Sequence, residues 1–587
     1  MTASFGPHVL REYALIADGE RGALIGPEGA MSWLCAPGWD SPAAFSGLLG
    51  GRGVYAVTPA DPWHVWGGYY ETGSLIWRSR WVGAARTECR EALAMPADPH
   101  RAVILRRIVA VDGPAKVTVV LDVRAGFGRS GMTGLSRAGG CWTGRSGRLR
   151  FRWSGAAKAR PGPDGLTLTV RLPAEGHHDL VLELSDRPLD GPPPDPDQAW
   201  AATEAAWSDV VPDCDDLIAA RDTRHAYAVL RGLTASTGAM VAAATTSLPE
   251  HLEGGRNYDY RYAWIRDQCY AGLAVAAHGP HPLLDGTIRF ITERALADGP
   301  GLMPAYTVAG QPIPDERGLR LRGYPGGTAR VGNRVIGQFQ LDGLGESLEL
   351  FAAAARLDLM AEENWQAAAI TADAIKQRWS QPDAGIWELE DRHWTHSRLT
   401  CVSGLRSLAV AAAQGPPGGP ARRQAAGWSA LADSLAAGLT GAVHPSGRWQ
   451  RSPEDGRVDA ALLLPVIRGT LPADDPRNRA TVRAVQDELT EDGFVYRFRH
   501  DARPLHKSEG AFLLCGFWMA QVAHCYGDPA EAARWFERSR AACGPAGLYT
   551  EEYDVHQRQL RGNLPQAFVH AGLLECAARL SAAPTAR

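Results

Sequence analysis

The chain has 587 residues, a formal net charge of −4 and a sequence pI near 6.5. Nucleic-acid-binding proteins usually carry a basic surface and a high pI, so this balance argues against a nucleic-acid partner. The length predicts two or more domains, or one large barrel with a smaller companion.

Targeting signals are absent from the printed sequence. The N-terminus shows no basic segment followed by an apolar run, and no stretch of about 18 uninterrupted apolar residues occurs. The ten cysteines form no C-x-x-C pair, which is typical of buried, reduced thiols. We therefore expect a cytoplasmic protein without a membrane partner, and the sequence leaves a homo-oligomer open.

Residues 1–190 are predicted to form a β-rich domain. Short β-prone runs at 102–109, 116–123, 149–153 and 166–172 are separated by Gly, Pro and Asp. Runs of this length and spacing favour a sandwich of antiparallel strands.

A Pro-rich stretch at 190–197 and a helical pattern at 198–211 predict a linker with a bridging helix over 191–214. From 215 to 587, apolar residues recur every 3.6 positions between Gly/Pro-rich loops. This pattern predicts helices near 216–235, 261–278, 284–298, 338–358, 362–379, 397–414, 421–440, 475–488, 508–526, 528–542 and 563–582, with a weaker one near 458–468. Paired around a ring, they would form an α/α toroid whose loops build a site at one end.

The first candidate site lies at 245–250 and 254–267. Its second half combines aromatic, arginine and aspartate side chains where a loop enters a helix, including Tyr260, Trp264, Arg266 and Asp267. Arginine donors beside aspartate acceptors suit vicinal hydroxyl groups. The alternative is a helix N-terminus closed by an Arg–Asp ion pair.

The second candidate is the Trp387–Glu388 pair. An apolar ring against a carboxyl group removes water and raises the pKa, as a general acid near neutral pH requires. Two other interpretations stay open: a metal site using His393 and His396 among the neighbouring acids, and a solvated loop.

The third candidate is the adjacent pair Glu551 and Glu552, in a glycine-bounded loop before the final helix. One of these carboxylates could position a water molecule, although acidic loops are usually only solvated. Dinucleotide and phosphate-binding motifs are absent, so we expect no cofactor.

In order and spacing, these segments resemble glycoside hydrolase family 15, in its bacterial branch with a trehalase-like N-terminal domain. The motifs that carry the resemblance are residues 16–26, 32–37, 40–42, 323–324, 331–333, 338–342, 509–515, 551–554 and 565–568. They extend over nearly the whole chain.

The resemblance implies an N-terminal β-sandwich, a C-terminal (α/α)6 barrel and release of one glucose unit from a non-reducing end with inversion. By motif, Glu388 corresponds to the general acid and Glu551 to the general base. Arg266 and Asp267 correspond to residues that hold the terminal glucose, and we expect Tyr260, Trp264, Trp387 and Glu552 to support the substrate. The implied substrate is a small carbohydrate, such as trehalose or a short α-glucan, and no metal is expected.

Four places depart from similar proteins: Arg334, Leu344, residues 401–406 and the basic run His506-Lys507-Ser508. None touches the two glutamates, but they leave room for a non-glucose or modified sugar. Two further alternatives are a catalytically idle carbohydrate-binding relative and a transferase or phosphorolytic enzyme on a similar toroid.

Overall fold

The N-terminal part of the computed structural model consists of two eight-stranded antiparallel sheets. The structure describes residues 5–251, 256–500 and 502–582. The strands are β1 (Ala14–Ala17), β2 (Gly22–Ile25), β3 (Ala30–Cys35), β4 (Ala43–Phe45), β5 (Val54–Pro59), β6 (Val65–Tyr70), β7 (Trp77–Val82), β8 (Arg86–Leu93), β9 (Arg101–Ala110), β10 (Ala115–Asp122), β11 (Met132–Ala138), β12 (Cys141–Ser146), β13 (Leu149–Ser154), β14 (Arg160–Gly162), β15 (Gly165–Leu172) and β16 (His177–Ser185).

One sheet has the order β1-β2-β3-β5-β10-β15-β14, with β4 on β3, and the other has the order β11-β12-β13-β16-β9-β8-β7-β6. Contacts cross between them: Trp153 Nε1 donates to the Tyr55 hydroxyl at 3.1 Å, and Arg106 donates to the Tyr55 carbonyl at 2.8 Å. Alternate residues of β15 are buried and exposed, the period expected of a strand with one face on the core. The predicted β-sandwich is confirmed.

The C-terminal part is helical. Helix α1 (Pro196–Val210) precedes it and begins at Pro196, with the Asp195 side chain accepting from Gln198 N at 2.9 Å. The further helices are α2 (Ala220–Gly232), α3 (Ile265–His278), α4 (Pro282–Asp298), α5 (Asp342–Arg356), α6 (Glu362–Arg378), α7 (Thr395–Ala413), α8 (Pro420–Ala437), α9 (Leu464–Ile467), α10 (Pro476–Glu488), α11 (Leu513–Cys525), α12 (Pro529–Arg540) and α13 (Ala567–Ser581).

These helices alternate between an outer and an inner ring. Neighbouring inner helices α3, α5, α7, α9, α11 and α13 contact one another in that order, and α13 closes the ring on α3. Inner helix α11 is buried on every side from Leu513 to Ala523, whereas outer helix α8 buries only one stripe: Ala425, Trp428, Ala432 and Leu435. The described part of the chain thus contains two rings of six helices, which confirms the predicted (α/α)6 barrel.

Two features of the inner ring follow from single residues. The weak helix expected near 458–468 is only a 3-10 turn (Ala460–Leu463) followed by the short α9, which contains Pro465. Helices α5 and α7 approach closely because Gly345 faces Gly404; a Cβ on Gly404 would lie 2.4 Å from the Gly345 carbonyl oxygen.

None of the helices in the described part of the chain is both long and apolar enough to cross a membrane.

In the described residues, nine short strands lie in the loops of the barrel. They are β17 (Ala263–Trp264), β18 (Ala305–Tyr306), β19 (Arg317–Gly318), β20 (Arg330–Val331), β21 (Thr490–Glu491), β22 (Phe494–Val495), β23 (Ala511–Phe512), β24 (Glu552–Asp554) and β25 (Gln559–Arg561). Strands β23, β24 and β25 form one small sheet.

The β-sandwich packs against the loop that leads from α2 into α3. Trp33 Nε1 donates to the Ala244 carbonyl at 2.8 Å. In the other direction, Arg261 donates to the Ser41 carbonyl at 2.9 Å and forms an ion pair with Asp259 at 2.7 Å, with both side chains buried. These contacts tie the loop to the β-sandwich.

Candidate active site

A cavity of about 110 Å³ lies at the end of the barrel where the inner helices begin. Its walls come from the loops that lead from outer to inner helices, so widely separated segments meet there. Seven of the eight predicted site residues line it: Tyr260, Trp264, Arg266, Asp267, Trp387, Glu388 and Glu551. The eighth, Glu552, is fully buried next to the cavity wall. Gly254 and Gly255 of the first predicted motif lie outside the described residues.

Glu388 lies in the loop between α6 and α7 with a left-handed backbone, φ 55°. This conformation is costly for a residue with a Cβ and is concentrated at functional sites. The preceding turn is held by Asp383, whose Oδ2 accepts from Gly385 N at 3.0 Å. Glu388 Oε1 accepts from Trp264 Nε1 at 2.7 Å and from Arg266 Nη2 at 3.2 Å. One carboxylate oxygen is thus fixed by two donors from the first motif.

Arg266 links three carboxyl groups at the start of α3. Besides Glu388, its guanidinium lies 3.9 Å from Asp267 and 3.5 Å from Asp342. Burial raises the pKa of Asp267 to about 7, against the opposing effect of Arg266, and the charges of Glu388 and Asp342 raise it further. The Arg–Asp pair is therefore present, and it faces the cavity.

Glu551 lies just before β24 and is 7% exposed. The Tyr260 hydroxyl is 3.0 Å from its Oε2 and 3.2 Å from its Oε1, and the Glu250 side chain hydrogen bonds to it. Burial raises the pKa of Glu551 to about 7, while Arg497 opposes the rise. Burial and the neighbouring Glu551 charge raise the pKa of Glu250 well above its usual range. At neutral pH, Glu250 therefore holds a proton that it can donate to ionised Glu551.

Arg497 is the central cation behind Glu551. Its Nη2 lies 2.5 Å from Glu509 Oε2 and 3.3 Å from Glu552 Oε1. Arg256 and His500 also contact Glu509, at 2.7 and 2.8 Å. Burial would raise the pKa of Glu509, but the Arg497 charge and these contacts hold it far below its usual range.

Glu552 differs from Glu509 although both contact Arg497. Burial, together with the charges of Glu509 and Glu250, raises its pKa well above the ordinary value. Its Oε2 accepts from Gly510 N at 2.8 Å. Through this hydrogen bond, Glu552 of β24 is joined to the residue before β23, and the contact lies next to Glu551.

Trp387 lies on the cavity wall, but its fixed contacts point to the core. Its Nε1 donates to Asp459 Oδ1 at 2.8 Å, and its ring packs against Phe512 and Trp518. The histidines of the metal alternative are in different surroundings: His393 contacts the Ser380 carbonyl, and His396 is buried beside Thr400. Burial lowers the pKa of His396 to about 3.

Glu250 and Arg256 lie in the first candidate segment and Glu509 in a family motif, but none of them was singled out as a site residue, and Arg497 was in no predicted motif. A signal for Arg497 exists, because one cation stands inside the apolar run 494–498. Such a charge is buried only if it is paired. The partners of Arg497 come from two distant segments, so its role was not evident from local spacing.

An α/α barrel with two glutamates in a cavity at one end is typical of glycoside hydrolases, here Glu388 and Glu551. A model of the glycosyl hydrolases family 15 matches residues 224–578, and a model of the trehalase-like N-terminal domain matches residues 6–140. The chain belongs to glycosyl hydrolases family 15, whose characteristic mechanism is inverting.

Several curated proteins are similar over most of this chain. A trehalase of Mycobacterium tuberculosis is 32% identical over 96% of this chain and 88% of its own length. A trehalase of Mycolicibacterium smegmatis is 30% identical over 96% and 90%. An isomaltose glucohydrolase of Kribbella flavida is 27% identical over 53% of this chain and 77% of its own. A solved wild-type glycosidase shares the fold, with a TM-score of 0.50, 20% identity and coverage of 61% of this chain and 96% of its own.

The arginine behind the site offers a stability test. Arg497→Met would leave ionised Glu509 without its main buried partner, and such a loss typically costs about 3–5 kcal/mol. We expect the free energy of unfolding to fall by this amount in urea titrations followed by tryptophan fluorescence. Arg334→Met is the control, because Arg334 lines the same cavity but is exposed; we expect a change within about 0.5 kcal/mol. Equal effects would contradict the central role of Arg497.

Proposed function

We propose that the protein is an exo-acting α-glucoside hydrolase that takes trehalose or a short α-glucan and releases β-glucose. The observation that carries the proposal is that Glu388 and Glu551, on loops more than 160 residues apart, line the same cavity. Full-length similarity to two proteins named trehalase supports trehalose as the first substrate to test.

In this proposal, Glu388 is the general acid. Its Oε1 is held by Trp264 and Arg266, so Oε2 is the oxygen that carries the proton to the glycosidic oxygen. The fixed left-handed backbone and the two donors keep this carboxyl group in one orientation, which reduces the cost of reaching the reactive geometry.

Glu551 is the general base that draws a proton from the attacking water. Its environment suits this role, because burial raises its basicity while Tyr260 and Glu250 hydrogen bond to its ionised form. Arg497 behind it keeps the ionised state accessible in the buried loop. Inversion requires a water between the base and the anomeric carbon, and carboxyl groups of inverting enzymes are about 6.5–9.5 Å apart.

Arg266 and Asp267 are proposed to hold the hydroxyl groups of the terminal glucose. Both face the cavity and offer a donor and an acceptor, and the aromatic rings of Tyr260, Trp264 and Trp387 provide apolar walls beside them. Glu552 acts on the substrate only through the position of Glu551. It contacts Arg497 and Gly510.

The direct test is a substrate panel of trehalose, maltose, isomaltose and maltotriose, with proton NMR during the first minutes of reaction. We expect hydrolysis, and the glucose unit that carries the cleaved bond should appear as the β-anomer before mutarotation. An inverting enzyme releases one β- and one α-glucose from trehalose, so products of trehalose that begin entirely as the α-anomer would move Glu551 to the role of nucleophile. Binding without turnover of any sugar would instead support the idle carbohydrate-binding relative.

The two glutamates give a second prediction. Glu388→Gln and Glu551→Gln each remove a proton-transfer group, a step typically worth about 10²–10⁴-fold in rate. We expect kcat to fall by at least this range, with the unfolding temperature little changed. The matched control is Glu390→Gln, because Glu390 lies two positions from Glu388 but forms only an exposed ion pair with Arg392. Retention of more than a tenth of the activity would remove the mutated glutamate from its role.

The pH dependence gives a third prediction. Because the base must be ionised and burial raises the pKa of Glu551 to about 7, kcat/KM should fall as the pH drops below about 7. The apparent pKa belongs to the pair of Glu551 and Glu250. Tyr260→Phe removes a hydrogen bond to the ionised form, so the acid limb should move to higher pH by about one unit.

Tyr258→Phe serves as its control, since the Tyr258 ring stacks on Tyr260 at 6.2 Å within the same cavity. We expect its acid limb to stay in place. A limb that is unchanged in Tyr260→Phe would show that another group governs the ascending part of the profile.

A further inference from the structure

Three polar side chains outside the cavity converge on one point. Glu491 ends β21, His506 lies in the 3-10 turn Leu505–Lys507, and His556 lies between β24 and β25. His556 Nε2 is 2.9 Å and His506 Nδ1 3.4 Å from the same oxygen, Glu491 Oε1. One ligand atom from each residue lies within 4.8 Å of the other two.

The two imidazole rings are neighbours and are tilted, with centroids 3.8 Å apart and an angle of 38° between the planes. His506 Nδ1 is buried, yet it makes no hydrogen bond to any group that the structure describes. The Tyr496 hydroxyl donates to the other carboxylate oxygen, Glu491 Oε2, at 3.3 Å. Tyr496 thus orients the Glu491 carboxylate through Oε2, and the other oxygen, Oε1, faces the two imidazole nitrogens.

We propose that Glu491, His506 and His556 bind a zinc ion. A tetrahedral zinc with bonds of about 2.0–2.1 Å places its ligand atoms about 3.3 Å apart, close to the 2.9 and 3.4 Å that separate the two imidazole nitrogens from Glu491 Oε1. Two imidazoles and one carboxylate are a common zinc set with a position left for water. Magnesium prefers oxygen ligands in octahedral geometry and does not suit two imidazoles. Tyr496 supplies the support that metal-bound carboxylates usually have.

The position of the zinc site gives it a structural role. Arg497 follows Tyr496 in the chain, Glu509 lies three positions after His506, and Glu552 lies four positions before His556. A zinc ion would therefore tie together the three segments that supply the buried arginine and its carboxyl partners. This role goes beyond the proposed hydrolysis and needs none of its assignments.

The test is isothermal titration of ZnCl2 into the untagged full-length chain after metal removal with a chelator. We expect about one equivalent to bind, and thermal unfolding should shift upward by about 3 °C at a hundredfold excess over Kd. His506→Ala and His556→Ala should each weaken zinc binding by at least about 100-fold and abolish the thermal shift. MgCl2 should produce neither effect.

His100→Ala is the matched control, because His100 also contacts a carboxylate, Asp186 at 3.2 Å, but has a single imidazole. The His100→Ala variant should bind zinc with the same affinity as the unmodified chain. Cobalt provides a second measurement on the unmodified protein, since tetrahedral Co²⁺ with nitrogen ligands absorbs visible light far more strongly than octahedral Co²⁺.

Absence of saturable zinc binding, or binding that survives both histidine substitutions, would overturn the proposal. An octahedral cobalt spectrum would also overturn it. Each of these outcomes is independent of hydrolysis, since none of the three residues lines the cavity.

Discussion

The active end of the barrel depends on charge balance around one buried guanidinium. Glu250, Glu509, Glu551 and Glu552 are all buried within a few side chains of one another, an arrangement that four negative charges could not sustain. Arg497 and Arg256 supply two positive charges, and the raised pKa values of Glu250 and Glu552 keep those two carboxyl groups neutral. Two positive charges then face ionised Glu509 and Glu551.

This balance explains why neighbouring glutamates behave differently. Glu551 and Glu552 are adjacent in the chain, but Glu552 begins β24 while Glu551 precedes the strand, and their side chains enter different surroundings. Glu551 faces the cavity and Tyr260, whereas Glu552 faces Arg497 and the Gly510 amide. In the proposed mechanism, the same residue type serves as the base at one position and as a support at the next.

Much of the fold could be predicted from the sequence, because it depends on local periodicity. The helices from α2 to α13 lie where the 3.6-residue pattern indicated, and α9 begins only at Leu464, because a helix that began at 458 would hold Pro465 in its interior. The sequence also indicated the residues around Glu388 and Glu551. The partners of these two glutamates were harder to predict, because contacts such as that of Arg497 with Glu552 join segments that have no fixed spacing in the sequence. Adjacency in the sequence also did not predict the hydrogen-bond partners. The donors to Glu388 are Trp264 and Arg266. Its neighbour Trp387 donates to Asp459 instead.

The closure of α13 on α3 affects how the protein is made. Helix α3 is synthesised about 300 residues before α13, yet Tyr270 of α3 rests on Phe568 of α13 with ring centroids 4.5 Å apart. During translation, the apolar face of α3 leaves the ribosome before α13 has been synthesised. Proteins that depend on long-range contacts of this kind fold slowly. A nascent barrel therefore exposes the inner face of α3 until the last helix emerges.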